Sequence, residues 1–219
     1  MNRLLFEKRG DAVYLSHLDL MRVFQRAFKR AGILIWHSQG FSPRAYVSIA
    51  LPLPVGMESE CEILDFEIED GSVELETLPA RLNAVLPSGI RVLSAYESAR
   101  KIKELTRLRA EVTLEYDKGV PQNAQKALAA LFARDSIVIT KRSKKGDKEL
   151  DIRPLVFALS IAAVSDNELR LECVLSAQNP GLNPLLLVTA IETHLPELKP
   201  DFARAGRIEA LSDQETPFR

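Results

Sequence analysis

Soft metal ligands are scarce in this chain of 219 residues, which has two cysteines, Cys61 and Cys173, and three histidines, His17, His37 and His194. Two thiols so far apart make no disulfide framework, and they cannot supply a four-cysteine zinc site or a four-thiolate iron–sulfur cluster. Both cysteines are expected to be reduced thiols in a cytoplasm, and no metal or other cofactor is expected. Long apolar runs are also missing. Nothing approaches the ~18 residues that would cross a bilayer, so no membrane contact is expected. The opening Met1-Asn2-Arg3-Leu4-Leu5-Phe6 runs straight into Glu7-Lys8-Arg9, without the apolar core of a signal peptide. Net charge is nearly absent, with 29 basic against 30 acidic side chains, which removes any global pull toward nucleic acid or membrane.

What is present is an ordinary globular composition. Hydrophobic residues make up 46% and charged residues 27%, which argues against global disorder. The near-neutral total is a cancellation of four blocks. Residues 1–50 sum to +5, 51–97 to −8, 98–153 to +6 and 154–219 to −4. Charge therefore alternates twice from basic to acidic along the chain.

Periodicity gives the element order. Arg3–Lys8 is a strand pattern ending at Gly10-Asp11, and Ala12–Leu15 continues it or forms a second short stretch. Ser16 is placed to cap a helix with Asp19 three residues on, and Leu20, Phe24, Ala27, Phe28 and Ala31 make its apolar stripe up to Gly32. Tyr46–Leu53 is β-rich. Glu62–Glu69 reads as a strand with one wet acidic face, and Val73–Leu86 is helical with Pro79 as a boundary. Ile90–Tyr96 is again a strand. The order β-α-β-β-α-β is that of a ferredoxin-like unit.

A similar order follows. Leu108–Tyr116 alternates as a strand, Pro121 opens a helix whose Ala124, Leu128, Leu131 and Phe132 share a face, and Ser136–Arg142 is a strand. Residues 143–148 make a hairpin turn centred on Gly146-Asp147. Leu150–Leu155 and Phe157–Val164 continue as strand past a bend at Pro154, and Glu168–Ala177 is another strand. A last helix, Pro184–Leu195, is capped by Asn183 and followed by strand Ala205–Leu211, with a tail that should fray after Ser212. The expected fold is α+β, two ferredoxin-like (βαββαβ) units in tandem, at residues 1–98 and 106–212.

One segment is rich in binding chemistry. His37-Ser38-Gln39-Gly40-Phe41-Ser42-Pro43-Arg44 sets a stacking ring, an amide and a guanidinium around Gly40 and Pro43, between a basic helix and a strand. These groups together with Tyr14-Leu15-Ser16-His17-Leu18-Asp19-Leu20, Arg22, Arg26-Ala27, Arg30-Ala31-Gly32, Pro52-Leu53-Pro54-Val55-Gly56, Ser59 and Asp151-Ile152-Arg153-Pro154 resemble the radical SAM-linked protein family, a domain of unknown function. The resemblance implies a partner, since members are encoded beside or fused to a radical SAM enzyme with a cobalamin-binding-type domain. After Pro43 relatives often continue with Pro and Lys, where this chain has Arg44-Ala45-Tyr46. A radical SAM enzyme itself needs three neighbouring cysteines for its cluster, so this chain can be a companion of such an enzyme but not the enzyme.

The candidate substrate-binding residues are Arg22, Arg26, Arg30, Ser38, Gln39, Phe41 and Arg44. A second basic surface is expected at Lys141, Arg142, Lys144, Lys145 and Lys148 on the hairpin. His17 and His37 are lesser candidates for acid–base work, because Ser16, His17 and Asp19 are too close in sequence to converge as a triad. The leading expectation is a non-catalytic accessory protein that binds or presents a substrate, RNA being the candidate polyanion, to a radical SAM enzyme. The alternatives are a pure protein-interaction module docking on that enzyme and an independent metal-free RNA-processing enzyme.

Overall fold

The structure, a computed structural model, describes every residue except 40, 70, 72 and 142–145. The fold is α+β, in two compact units: Met1–Glu104 with Phe218–Arg219, and Leu105–Pro217. In the first unit β1 (Asn2–Lys8), β2 (Val47–Ile49), β3 (Glu58–Phe66) and β4 (Ile90–Glu97) lie in the order β4-β1-β3-β2, each pair antiparallel. Alternation along β1 sends Leu4 and Phe6 into a core with Leu64 and Phe66 of β3 and Val92 of β4. Against this face packs α1 (His17–Arg30) through Leu20, Phe24, Ala27 and Phe28, joined by Leu78 and Leu82 of α2 (Leu78–Asn83). The rings of Phe6 and Phe24 meet edge-on at 4.7 Å, and those of Phe28 and Phe66 lie 4.9 Å apart.

Several expectations change here. Ala12–Leu15 is not extended. Gly10–Tyr14 forms a 3-10 turn, because the buried Lys8 amine donates to the carbonyls of Val13 at 3.1 Å and Leu15 at 2.9 Å and so coils the chain around itself. Gly89 receives the N–H of Arg9 on its carbonyl in this same region. At φ +83° a side chain there would press on the Arg9 carbonyl and the Ala12 methyl, so glycine is required. The β-rich Tyr46–Leu53 shortens to β2, and Val73–Leu86 divides into a 3-10 turn, Leu75–Thr77, and the short α2 with Pro79 in its first turn.

The acidic face of β3 is only partly wet. Glu62 and Asp65 are 3% and 5% exposed. Asp65 lies opposite Arg3 in the β1–β3 register and accepts from its Nε at 2.6 Å and Nη2 at 3.1 Å. Arg3 also donates through Nη1 to Ser98 Oγ at 2.8 Å and through Nη2 to the Arg100 carbonyl at 3.1 Å. The tail does not fray as expected. Phe218 is fully buried, with the guanidinium groups of Arg3 and Arg100 over its ring at 5.1 and 4.6 Å.

The second unit contains β5 (Arg107–Glu115), α3 (Ala124–Phe132), β6 (Val138–Lys141), β7 (Lys148–Asp151), β8 (Val156–Ser165), β9 (Glu168–Ser176), α4 (Leu186–His194) and β10 (Phe202–Leu211). Its sheet runs β10-β5-β9-β8, all antiparallel, while β6 and β7 form a separate hairpin. Leu108, Ala110, Val112 and Leu114 of β5 are buried, as is the stripe Ala124, Leu128, Leu131 and Phe132 of α3, as their spacing requires. Asn183 Oδ1 accepts from the Leu185 N–H at 3.0 Å ahead of α4.

The stretch Leu150–Val164 is not one bent strand but β7, a 3-10 turn Arg153–Leu155 and β8. Asp151 causes the break. Its carboxylate accepts from the Ile137 N–H at 2.8 Å and the Arg153 N–H at 3.0 Å, and these bonds hold its pKa below the ordinary carboxylate value. Arg153 in turn donates to the carbonyls of Arg134 at 3.1 Å and Val156 at 2.8 Å. A depressed carboxylate pKa adds stability that is present above its unfolded value and lost as pH falls through the folded one. Asp151→Ala is therefore expected to cost about 1 kcal/mol at neutral pH, with the deficit vanishing well below about pH 4. Urea melts at neutral and acidic pH check this.

Candidate nucleic-acid interface

The first unit presents a helix and a hairpin joined by a side-chain bond. Ser16 Oγ accepts from the Asp19 N–H at 3.2 Å and donates to the Asp19 carboxylate at 2.7 Å, starting α1 as its sequence indicated. The Ser16 bond, then Arg22 at 2.9 Å, lowers the pKa of this exposed carboxylate. Ser16, His17 and Asp19 thus form a cap. His17, half-buried in the first turn, makes no side-chain hydrogen bond among the described residues.

Beyond the helix the chain folds into a hairpin. Trp36 N–H donates to the Glu67 carbonyl at 2.8 Å, Tyr46 N–H donates to the Trp36 carbonyl at 2.8 Å, and Ser38 N–H donates to the Arg44 carbonyl at 2.9 Å. His37 faces Ala45 across the bridge, and the Arg44 N–H donates to Ser38 Oγ at 3.2 Å. The edge-to-face pair Trp36–Tyr46, with centroids 5.7 Å apart, closes the stem. Gln25 of α1 donates through Nε2 to the Ala45 carbonyl at 2.8 Å and fastens the stem to the helix. At the tip Phe41 is fully exposed, and Gln39 and Arg44 are exposed on the same hairpin, with Ser38 half-buried. Gly40 lies outside the described residues.

The cations of α1 divide by what they touch. Arg22 is engaged by Asp19, and Arg30 donates to the Val85 carbonyl at 2.7 Å, toward α2. The side chains of Arg26, Lys29 and Arg44 have no partner among the described residues and face solvent. Sequence reading missed Gln25, Trp36 and Tyr46 as the elements that set the hairpin. The aromatics ten residues apart around a turn-rich segment were the available signal. On the second unit Lys141 and Lys148 sit directly opposite across β6 and β7, both exposed, and Lys141 borders a cleft of about 710 Å³ together with Thr140, Asp147, Asn183, Thr189 and Glu192. Arg142, Lys144 and Lys145 lie outside the described residues.

Among the described residues no three His, Cys, Asp or Glu side chains are grouped to hold an ion. Cys61 and Cys173 are buried free thiols. Burial pushes Cys173 up to about 12, and its Sγ donates to the Ala110 carbonyl at 3.4 Å. No helix among the described residues is long and apolar enough to cross a membrane.

Among solved structures the chain is similar to a chain of a Cbf5-Nop10-Gar1 complex, with TM-score 0.53 and 8% identity over 95% of this chain and 48% of that one. A chain of an H/ACA RNP bound to a substrate RNA containing 2'-deoxyuridine gives TM-score 0.49 and 8% identity over 95% and 47%. The chain thus spans about half the length of each matched chain, and the 8% identity to the first reports on the fold alone. No curated protein matches the sequence. A family profile does match, over residues 2–184, and the chain belongs to that family, DUF2344, described as an uncharacterized protein conserved in bacteria.

Proposed function

We propose that the chain is a non-catalytic accessory protein that binds a single-stranded polyanion, RNA in the first instance, and presents it to a radical SAM enzyme. The observation behind this is the pairing of a fully exposed Phe41 with Arg26, Lys29 and Arg44, cations without a partner among the described residues, on one helix–hairpin element. An exposed ring offers a stacking platform to any base, and free cations neutralise phosphates without sequence preference. The radical SAM partner is supported by the motif resemblance at residues 14–59 and 151–154. In this reading each unit is a ferredoxin-like βαββαβ unit, and the β6–β7 hairpin is an insertion that adds a second basic surface.

Fluorescence anisotropy of a labelled single-stranded RNA across a salt series tests the binding. Arg26→Ala with Arg44→Ala is expected to reduce the log–log salt slope by about 1.4, at ~0.7 for each phosphate no longer neutralised. No salt-dependent binding, or a slope unchanged by the double substitution, overturns the RNA reading.

A further inference from the structure

Tyr14, Leu18 and Val55 are 73%, 64% and 59% exposed, three large apolar side chains left outside the core of the first unit. Exposed apolar residues scattered singly need no explanation, but these come from two segments that the fold brings together. The Gly56 N–H donates to the Val13 carbonyl at 2.9 Å, which sets the turn carrying Val55 beside the turn carrying Tyr14. Leu18 follows four residues after Tyr14, in the first turn of α1.

The backbone around Tyr14 is fixed from both sides. The buried Lys8 amine draws in the carbonyls of Val13 and Leu15, its two neighbours in sequence. The Leu15 N–H closes the turn on the Ala12 carbonyl at 3.0 Å. The Tyr14 side chain makes no hydrogen bond among the described residues and faces solvent. A ring carried on a held backbone loses little freedom on meeting a base, since only its two side-chain torsions remain to be ordered.

This ring lies at one end of the cation-bearing face of α1. At 3.6 residues per turn, Leu18, Arg22, Gln25, Arg26 and Lys29 fall within about 100° of arc, opposite the buried Leu20, Phe24, Ala27 and Phe28. Gln25 is the residue that fastens the Phe41 hairpin, so the hairpin stands beside this face. From Gln25 back to His17 the helix spans about 12 Å. At the ~3.4 Å step of a stacked strand, that is about three to four nucleotides. The start of the helix is already occupied by the Asp19 carboxylate, bonded to Ser16 and Arg22, so what this end offers a ligand is a ring rather than a phosphate site.

We infer that Tyr14 is a second stacking platform for the same single strand, which runs along the exposed face of α1 and is held by one base at the Phe41 hairpin and another at Tyr14. The inference rests on the RNA reading above and adds to it a minimum ligand length.

Anisotropy titrations with labelled oligouridylates of about two to twelve nucleotides test this. Affinity for the parent chain is expected to rise in a second step once the strand reaches from one ring to the other, at about five nucleotides. Tyr14→Ala should remove that step and weaken the longest strand about 5-fold or more, while shorter strands bind it as they bind the parent. Its salt slope should match the parent's, since no cation is lost. Tyr14→Phe should keep the step, because the ring stacks and the hydroxyl does not. Tyr14→Leu, which keeps apolar bulk on the turn without a π face, should lose it. Long strands binding Tyr14→Ala and the parent alike overturn the inference, and if Phe41→Ala still weakens binding in the same series the RNA reading stands without it. Salt-independent binding at every length overturns both. Unchanged RNA binding by Tyr14→Ala together with loss of a co-purifying protein overturns the inference too and assigns the patch to that protein.

Discussion

Asp65→Ala is expected to destabilise the first unit by about 3–5 kcal/mol, on the order of 10 °C in Tm, measured by calorimetry or urea denaturation. The size follows from burial, because the ion pair it breaks is 1% exposed at Arg3 and 5% at Asp65. Removing the carboxylate leaves a buried guanidinium without its counter-charge, with Ser98 and the Arg100 carbonyl among its remaining acceptors. Arg3→Met with Asp65→Leu should cost less than Asp65→Ala alone, since no charge is then stranded. A double variant as unstable as the single one would show that the pair is worth more than its desolvation.

Phe41→Ala is expected to weaken RNA binding by about 5–150-fold, the loss of ~1–3 kcal/mol for one stacked base. The same substitution should leave Tm within about 2 °C of the parent, because a fully exposed ring contributes no packing that truncation could remove. Phe41→Trp should bind at least as well as the parent. Anisotropy titration at one fixed salt concentration, with a thermal melt of each variant, gives both readouts. Unchanged affinity in Phe41→Ala would remove stacking from the mechanism and leave only the cations.

Local signals were legible where neighbours in sequence decide the structure. The Ser16 cap, the stripe Leu20–Phe24–Ala27–Phe28 and the alternation of β5 all act within a few residues, and each forms as its spacing indicates. Charge burial was not legible, because Asp65 depends on a partner 62 residues away. The same holds for Phe218, which is held by Arg3 and Arg100 and could not be told from a loose tail by its neighbours. At the candidate site the residue types of the loop were legible, but its form was not. The hairpin is set by the Gln25 amide and by backbone bonds among Trp36, Ser38, Arg44 and Tyr46, none of which leaves a periodic trace. Asp151 stands in the sequence as one member of a motif, and one of its two N–H bonds needs Ile137, fourteen residues away, to lie beside it.

Because Phe218 and Arg219 belong to the unit that begins at Met1, the second unit is nested within the first along the chain. On a ribosome the N-terminal sheet emerges first, yet its last aromatic is synthesised only after all of Leu105–Pro217. The unit translated earliest is therefore the one completed latest, and during that interval Arg3 and Arg100 wait without the ring they cover.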